Sequence, residues 1–369
     1  MKSICLCFQV HQPYRIRWYW PREGYKSNLS LELYFDQNTN YAMFENACRV
    51  YAKLNKHILS TIKKYDSKYT FNISGIFLDQ SMWNFDAIES FKSLVDTGNI
   101  EFTCSPYYNS VSSLFKDLQE FEYQVKKHKS ALETLFNCTP SIFVNAELIY
   151  NSRIGNAIKN MGFKGIIAEG HYNLLHGQDP LWIYNSRLNE NFPVLLRHFY
   201  LSEDIESRFS DKNWVEYPLT LDKFISWITK MDGDVLTLYF DYMCLERHKE
   251  NGILDFLKKL PEKLKEKNIE MINPREAIKY FGQNSKKLES LDTETVARPD
   301  INTILGNHMQ NLYFYELKNI EKRVKNIDNE IIKKIYRYFQ QADVLESMHS
   351  VEIAVNIFSI LSDFKRRIL

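Results

Sequence analysis

Short apolar runs alternate with stretches of helical period from the N-terminus to about residue 282. The runs Ser3–Val10, Tyr69–Phe77, Asn99–Thr103, Ser141–Val144, Gly165–Ala168, Pro193–Tyr200 and Val235–Phe240 predict seven strands. Between them, Met43, Ala47, Tyr51, Leu54, Ile58 and Ile62 fall on one helical face, as do Ile88, Phe91 and Leu94 before Gly98. Further helices are predicted over Leu114–Phe136, from Ile154 to Met161 with Gly162 as the stop, over Leu221–Met231 and over Ile253–Leu260. Regular strand–helix alternation implies parallel strands and a barrel-like sheet. An open doubly wound sheet would be expected to carry a glycine-rich phosphate loop; none follows any run, and the chain has only 12 glycines.

Residues 283–300 are polar and aperiodic, and helical spacing resumes beyond Ile301 with Ile320, Val324, Ile327, Ile332, Ile335 and Phe339. The predicted organisation is a barrel over residues 1–282, a linker or crossing loop over 283–300, and a helical subdomain over 301–369 packed on the barrel.

Candidate chemistry collects where strands end. The run Ser141–Val144 leads to Glu147, and Val235–Phe240 ends on Asp241. In barrels of alternating strands and helices, active sites are built at the C-terminal ends of the strands. Two carboxylates there are the minimum equipment for cleaving a glycosidic bond: one attacks, the other donates a proton, and about 5 to 5.5 Å separates them in the retaining case. The charge of Glu147 is expected to raise the pKa of Asp241, as an acid role requires. The first strand delivers His11-Gln12-Pro13 to the same end, so His11 is expected to bind substrate with Gln12 beside it. The aromatic segment from Tyr14 to Asp36, with Trp18, Tyr19 and Trp20, is a candidate cleft wall or, equally, an ordinary packed insertion.

Composition narrows the function classes. With 47 Lys+Arg against 46 Asp+Glu, no basic stripe points to nucleic acid. No run approaches the ~18 apolar residues of a membrane span, and the N-terminal stretch lacks a signal-peptide pattern, so a cytoplasmic protein is expected. Six cysteines without CxxC spacing read as buried free thiols. Aromatic content is 14%; much of it is expected in the core, while Tyr and Trp near loops suit stacking on sugar faces.

Placed in order, these pieces resemble glycoside hydrolase family 57, the α-amylase-like group. His11-Gln-Pro13 matches its first motif, and Glu101 with Tyr107-Tyr108-Asn109-Ser its second. Asn145-Ala-Glu147-Leu-Ile-Tyr-Asn151 matches the third, Phe240-Asp241-Tyr242 the fourth and Leu305-Gly-Asn-His-Met-Gln310 the fifth; Leu201-Ser-Glu-Asp204-Ile resembles a further family stretch. The resemblance covers about residues 1–310 and implies an incomplete (β/α)7 barrel followed by a C-terminal α-helical subdomain. It implies retaining cleavage of α-1,4-glucan, with Glu147 as nucleophile and Asp241 as acid/base, and no metal or other cofactor. His11, Gln12, Glu101, Tyr108, Asn109, Asn145, Asp204 and Tyr242 become the expected substrate-binding residues. The expected partner is an α-glucan or maltooligosaccharide substrate. A 4-α-glucanotransferase would use the same residues, and a catalytically silent glucan-binding homologue is the other alternative. The chain departs from the family at Asn109 and Val344, where His is usual, at Met243, where an acid is usual, and at Ile304, where Trp is usual.

Overall fold

Seven parallel strands form the centre of the computed structural model, which describes residues 1–19, 21, 28–186, 192–288, 291 and 304–368. The sheet strands in chain order are β1 (Ser3–Val10), β2 (Tyr69–Ile73), β3 (Ile100–Phe102), β4 (Ile142–Val144), β5 (Gly165–Glu169), β6 (Ile183–Ser186), β7 (Pro193–Arg197) and β8 (Val235–Asp241), then the short β9 (Glu270–Met271) and β10 (Lys286–Leu288). Around the barrel the order is β3-β2-β1-β8 and then β7-β5-β4; β6 runs antiparallel to β7 on the outside, and β10 pairs with β6. The two halves join at Cys104, whose N–H donates to Ile142 O (2.9 Å) and whose carbonyl accepts from Val144 N (2.8 Å).

The other seam, between β7 and β8, is held differently. His198 N–H donates to Thr237 O at 2.8 Å, and the buried Arg197 reaches across to donate from Nε to Tyr239 O at 2.7 Å. Its remaining nitrogens meet Glu169 (3.2 Å), Glu203 (2.7 Å) and Glu206 (3.4 Å). A guanidinium with this many charged acceptors is a stable way to fill a seam without a ladder, because a buried cation left unpaired would be costly. Seven strands with one loosely laddered seam give the incomplete (β/α)7 barrel.

Helices cover the outside: α1 (Gln37–Tyr65), α2 (Asp86–Val95), α3 (Gln119–Phe136), α4 (Ser152–Asn160), α5 (Phe199–Glu206), α6 (Leu221–Lys230) and α7 (Ile253–Glu266). Then follow α8 (Pro274–Phe281), α9 (His308–Lys325), α10 (Glu330–Phe339), α11 (Ala342–Glu346) and α12 (Val351–Arg367). Alternation within the strands sorts the cores. Cys5, Cys7, Val144, Ile167, Leu195 and Tyr239 fill the barrel, while Phe8, Val10 and Phe71 face outward to α1 and α2. A third apolar cluster is continuous from barrel residues such as Phe121, Ile154 and Ile166 to Tyr313, Ile335 and Phe364 of the C-terminal helices. All six cysteines are free thiols, and five of them are buried. No described helix is long and apolar enough to cross a membrane.

Two predicted strands are shorter than their apolar runs, for one physical reason. Ser74 caps a helical turn, its Oγ accepting from Phe77 N at 3.3 Å, so β2 ends at Ile73 instead of Phe77. His198 caps α5 through Nδ1 and Leu201 N at 3.3 Å, so β7 ends at Arg197 instead of Tyr200. Within residues 283–300, Lys286–Leu288 form β10 and Leu291 is buried; 289, 290 and 292–300 lie outside the described residues, as does Trp20.

Glu101 corrects an expectation. In register it pairs with Thr70, Thr70 with Cys7 and Cys7 with Tyr239, two rungs below the Gln9–Asp241 pair at the mouth. Its carboxylate accepts from Arg275 N at 3.1 Å, at the N-terminus of α8, which closes the bottom of the barrel. It is therefore part of the lower plug and is not placed to bind substrate at the mouth. Burial pushes its pKa up to about 7 against the helix-end bond, so the folded state holds this proton more tightly than the unfolded chain. Stability from this group is lost as pH rises from about 4.5 through about 7. Glu101→Gln keeps an acceptor for Arg275 N without the charge. Its melting temperature relative to wild type should rise between about pH 5 and about pH 8; parallel thermal-denaturation curves across that range would contradict the assignment.

Candidate active site

The C-terminal mouth of the barrel is organised by the turn after β4. Glu147 and Leu148 both have φ of +54° in the tight turn of residues 146–148. Left-handed backbone costs a non-glycine residue roughly 1–2 kcal/mol, so the turn needs compensation. Asn145 supplies it: its Nδ2 donates to Ile149 O (3.0 Å) and Ser113 Oγ (3.0 Å), and its carbonyl accepts from Leu148 N (3.0 Å). These bonds, each worth about 1 kcal/mol, hold Glu147 in an orientation that a relaxed strand end would not give. Asn151 then starts α4 by capping Ile154 N at 2.9 Å. Asn145 is thus a buried positioning residue, not the sugar-binding group expected.

Asp241 ends β8, opposite Gln9 of β1. Its Oδ1 accepts from Met243 N (3.0 Å), and its Oδ2 lies 3.0 Å from Arg247 Nη1. Its pKa is raised, first by burial, while Met243 N–H, Arg247 and His11 oppose the shift. The cause is desolvation, not the charge of Glu147 as expected from sequence.

His11 ends β1 and links the mouth together. Nδ1 lies 2.8 Å from Ser74 Oγ, and Nε2 lies 2.9 Å from Asp343 Oδ2 of α11. Burial works against its charge, but Asp343, Asp241 and Glu147 together outweigh it and raise the pKa. Asp343 in turn stays below the usual carboxylate range despite burial, because His11 and Asn109 stabilise its charge. Asn109 Nδ2 is 3.4 Å from Asp343 Oδ2, and its φ of +47° is a conformation that asparagine tolerates. The segment bearing Asp343 is docked by backbone: Val111 N donates to Gln340 O (3.0 Å) and Ala342 N to Asn109 O (2.9 Å). Gln12 lies against the Tyr51 hydroxyl behind β1.

Three other expected binding residues sit elsewhere. Tyr108 is buried, its hydroxyl taking a hydrogen bond from Lys127 Nζ at 2.6 Å and its ring packed on Tyr107 and Tyr338. Tyr242 is fully buried behind β8, stacked on Tyr51 at 5.6 Å with its hydroxyl on Asn55. Asp204 is buried on α5 and pairs with Arg208 at 2.9 Å. In each case a partner claims the side chain, Lys127 for Tyr108, Asn55 for Tyr242 and Arg208 for Asp204, which one residue's sequence position does not reveal. Sequence reasoning missed Ser74, Arg247 and the role of Asp343. Ser74 and Arg247 were findable as polar groups just past β2 and β8; Asp343 becomes visible only through tertiary docking. Among the described residues no group of three or more His, Cys, Asp or Glu side chains is arranged to hold a metal ion.

Two carboxylates near strand ends and an imidazole that feels both lie at one mouth of a seven-stranded barrel, the end of such a fold at which active sites are built. The chain belongs to glycosyl hydrolase family 57, whose profile matches residues 5–292. A Methanocaldococcus jannaschii protein named provisionally as an alpha-amylase is 34% identical over 362 residues, covering 93% of this chain and 76% of its own. Among solved structures, a family 57 branching enzyme from Thermococcus kodakaraensis superposes with a TM-score of 0.71 at 12% identity, over 99% of this chain and 90% of that one. The 4-alpha-glucanotransferase of Thermococcus litoralis gives a TM-score of 0.66 at 13% identity over 99% of this chain, which spans 60% of that enzyme's length. At such identities the structures establish the shared fold.

The Asp241–Arg247 contact yields a pH test. Arg247 favours the ionised carboxylate, so Arg247→Gln should raise the pKa of Asp241 and move the alkaline limb of a kcat/KM profile on an α-glucan to higher pH. An unmoved or acid-shifted limb would show that Asp241 is not the group titrating there.

Proposed function

We propose that the protein cleaves α-1,4-glucans with retention, as a hydrolase or a transglycosidase, through a covalent glycosyl–enzyme intermediate. The observation that carries this reading is the convergence of Glu147 and Asp241 on His11, from strands that stand apart in the chain. The names of the family 57 relatives support α-glucan as the substrate class.

In this mechanism the Glu147 carboxylate attacks the anomeric carbon as the glycosidic bond breaks, and the Asp241 proton passes to the leaving oxygen. Burial favours that proton's presence beforehand. Water or a sugar hydroxyl then gives its proton to Asp241 and displaces Glu147, restoring the starting state. Hydrolysis and transfer differ only in which acceptor arrives. His11, with both ring nitrogens engaged, acts on the sugar through its neighbour Asp343, whose carboxylate can accept from sugar hydroxyls. We take residues 1–282 as the catalytic barrel and the helices beyond 301 as the region that supplies Asp343.

Glu147→Ala removes a group whose bond to the sugar forms only along the reaction path, so turnover should fall by ~10³ or more with little loss of glucan affinity. Azide should restore part of the cleavage of an activated α-glucoside and give the β-glycosyl azide. Asp241→Ala should lose far less on an aryl glucoside than on a maltooligosaccharide, since a good leaving group departs without an acid. Wild-type protein that binds maltooligosaccharide but turns over no α-glucan would defeat the catalytic reading.

A further inference from the structure

Around the barrel from the strand of Glu147 to the strand of Asp241, two strands intervene: β5 and β7. The residues just past their ends form an aromatic cluster that the reaction above does not use. Tyr172 follows β5 and is 56% exposed; Tyr200 follows β7 and is 40% exposed. Their rings are stacked, with centroids 5.8 Å apart and planes 24° apart, and the two hydroxyls interact. Behind them lies buried His171, 4.8 Å from the Tyr172 ring and 5.8 Å from that of Tyr200, with Phe199 packed edge-on to both His171 and Tyr200. Phe199 rests in turn against the Arg197 guanidinium that spans the seam.

This differs from ordinary surface aromatics. Two other exposed rings are taken up by neighbours: Tyr123 carries Arg337 at 3.9 Å, and Tyr41 packs edge-on against Trp83. The Tyr172–Tyr200 pair is packed on itself and on His171 yet keeps 56% and 40% of its surface exposed, on a rigid backing, so little side-chain freedom remains to be lost on binding. β5 is paired with β4, which leads to Glu147, and β7 meets β8, which ends on Asp241, across the seam, so the pair follows the two strands that adjoin those of the acids. An amphipathic ring surface with hydroxyl edges suits a pyranose, whose axial C–H face is apolar and whose rim is polar.

Resting on the α-glucan reading of the mouth, we propose that Tyr172 and Tyr200 form a stacking platform for a glucose unit of the substrate chain beyond the unit being cleaved. The platform makes the site selective for longer chains. It contributes no proton and no nucleophile, so its loss falls on KM and affinity.

The test compares full-length wild type with Tyr172→Ala, Tyr200→Ala, the double alanine variant and the double phenylalanine variant. Calorimetric titration with maltoheptaose and with maltose is read alongside KM and kcat on maltoheptaose. The double alanine variant should bind maltoheptaose about tenfold more weakly, the change expected for losing roughly 1.4 kcal/mol of stacking. Maltose affinity should change much less, and the phenylalanine pair should keep most of the wild-type affinity. If the double variant fails to fold, the single variants at these exposed positions should each show part of the loss. Maltoheptaose affinity equal to wild type in the alanine variants overturns the platform, as does a wild type that binds no α-glucan. A wild type that binds maltoheptaose without turning it over, with binding lost in the alanine variants, leaves the platform standing and removes the catalytic roles of Glu147 and Asp241.

Discussion

The imidazole of His11 reaches from Ser74 at the end of β2 to Asp343 in the C-terminal helices, and the charge balance of the mouth depends on it. Three carboxylates, Glu147, Asp241 and Asp343, act on that ring. Partly desolvated acids at one mouth would repel one another and drift toward protonation unless a cation stood among them. The carboxylates favour the charged imidazole of His11 against its own burial, and His11 in turn favours ionised Asp343 while opposing the upward shift of Asp241. The imidazole pulls both acids the same way; Asp343, to which it is hydrogen-bonded, stays low, while burial still raises Asp241.

That arrangement survives only if its supports are stiff. Asn145 clamps the left-handed turn that aims Glu147, backbone bonds from residues 109 and 111 seat the segment ahead of Asp343, and Arg197 closes the seam beside β8. None of the three need touch substrate. The mouth is therefore shared between the barrel and the C-terminal helices: β1, β4 and β8 bring His11, Glu147 and Asp241, and α11 brings the partner that fixes the histidine.

Much of this was legible in the chain. The seven parallel strands follow from period and composition, and Glu147, Asp241 and His11 were found as polar groups ending apolar runs. What failed was height and facing. Glu101 sits in the same run type, but only register against β2 and β1 shows it two rungs below the mouth. Tyr108 and Tyr242 follow strand ends as sugar-stacking residues would, yet Lys127, Asn55 and the rings around them draw both inward. The exposed Tyr172 and Tyr200 carried no distinguishing signal until β5 and β7 were seen as neighbours. Strands β6, β9 and β10 are too short, or too polar, to stand out from loops.

The central claim is that Glu147 forms a bond to the sugar, and trapping that bond tests it most directly. A 5-fluoro-α-glucosyl fluoride forms the intermediate quickly and releases it slowly, so brief incubation followed by intact-protein and peptide mass spectrometry reads the bond itself. The account predicts a mass gain of one fluoroglucosyl unit on the peptide containing Glu147, absent in Glu147→Gln. A label on a different residue, or steady release of fluoride and sugar with no adduct at any time, would contradict it.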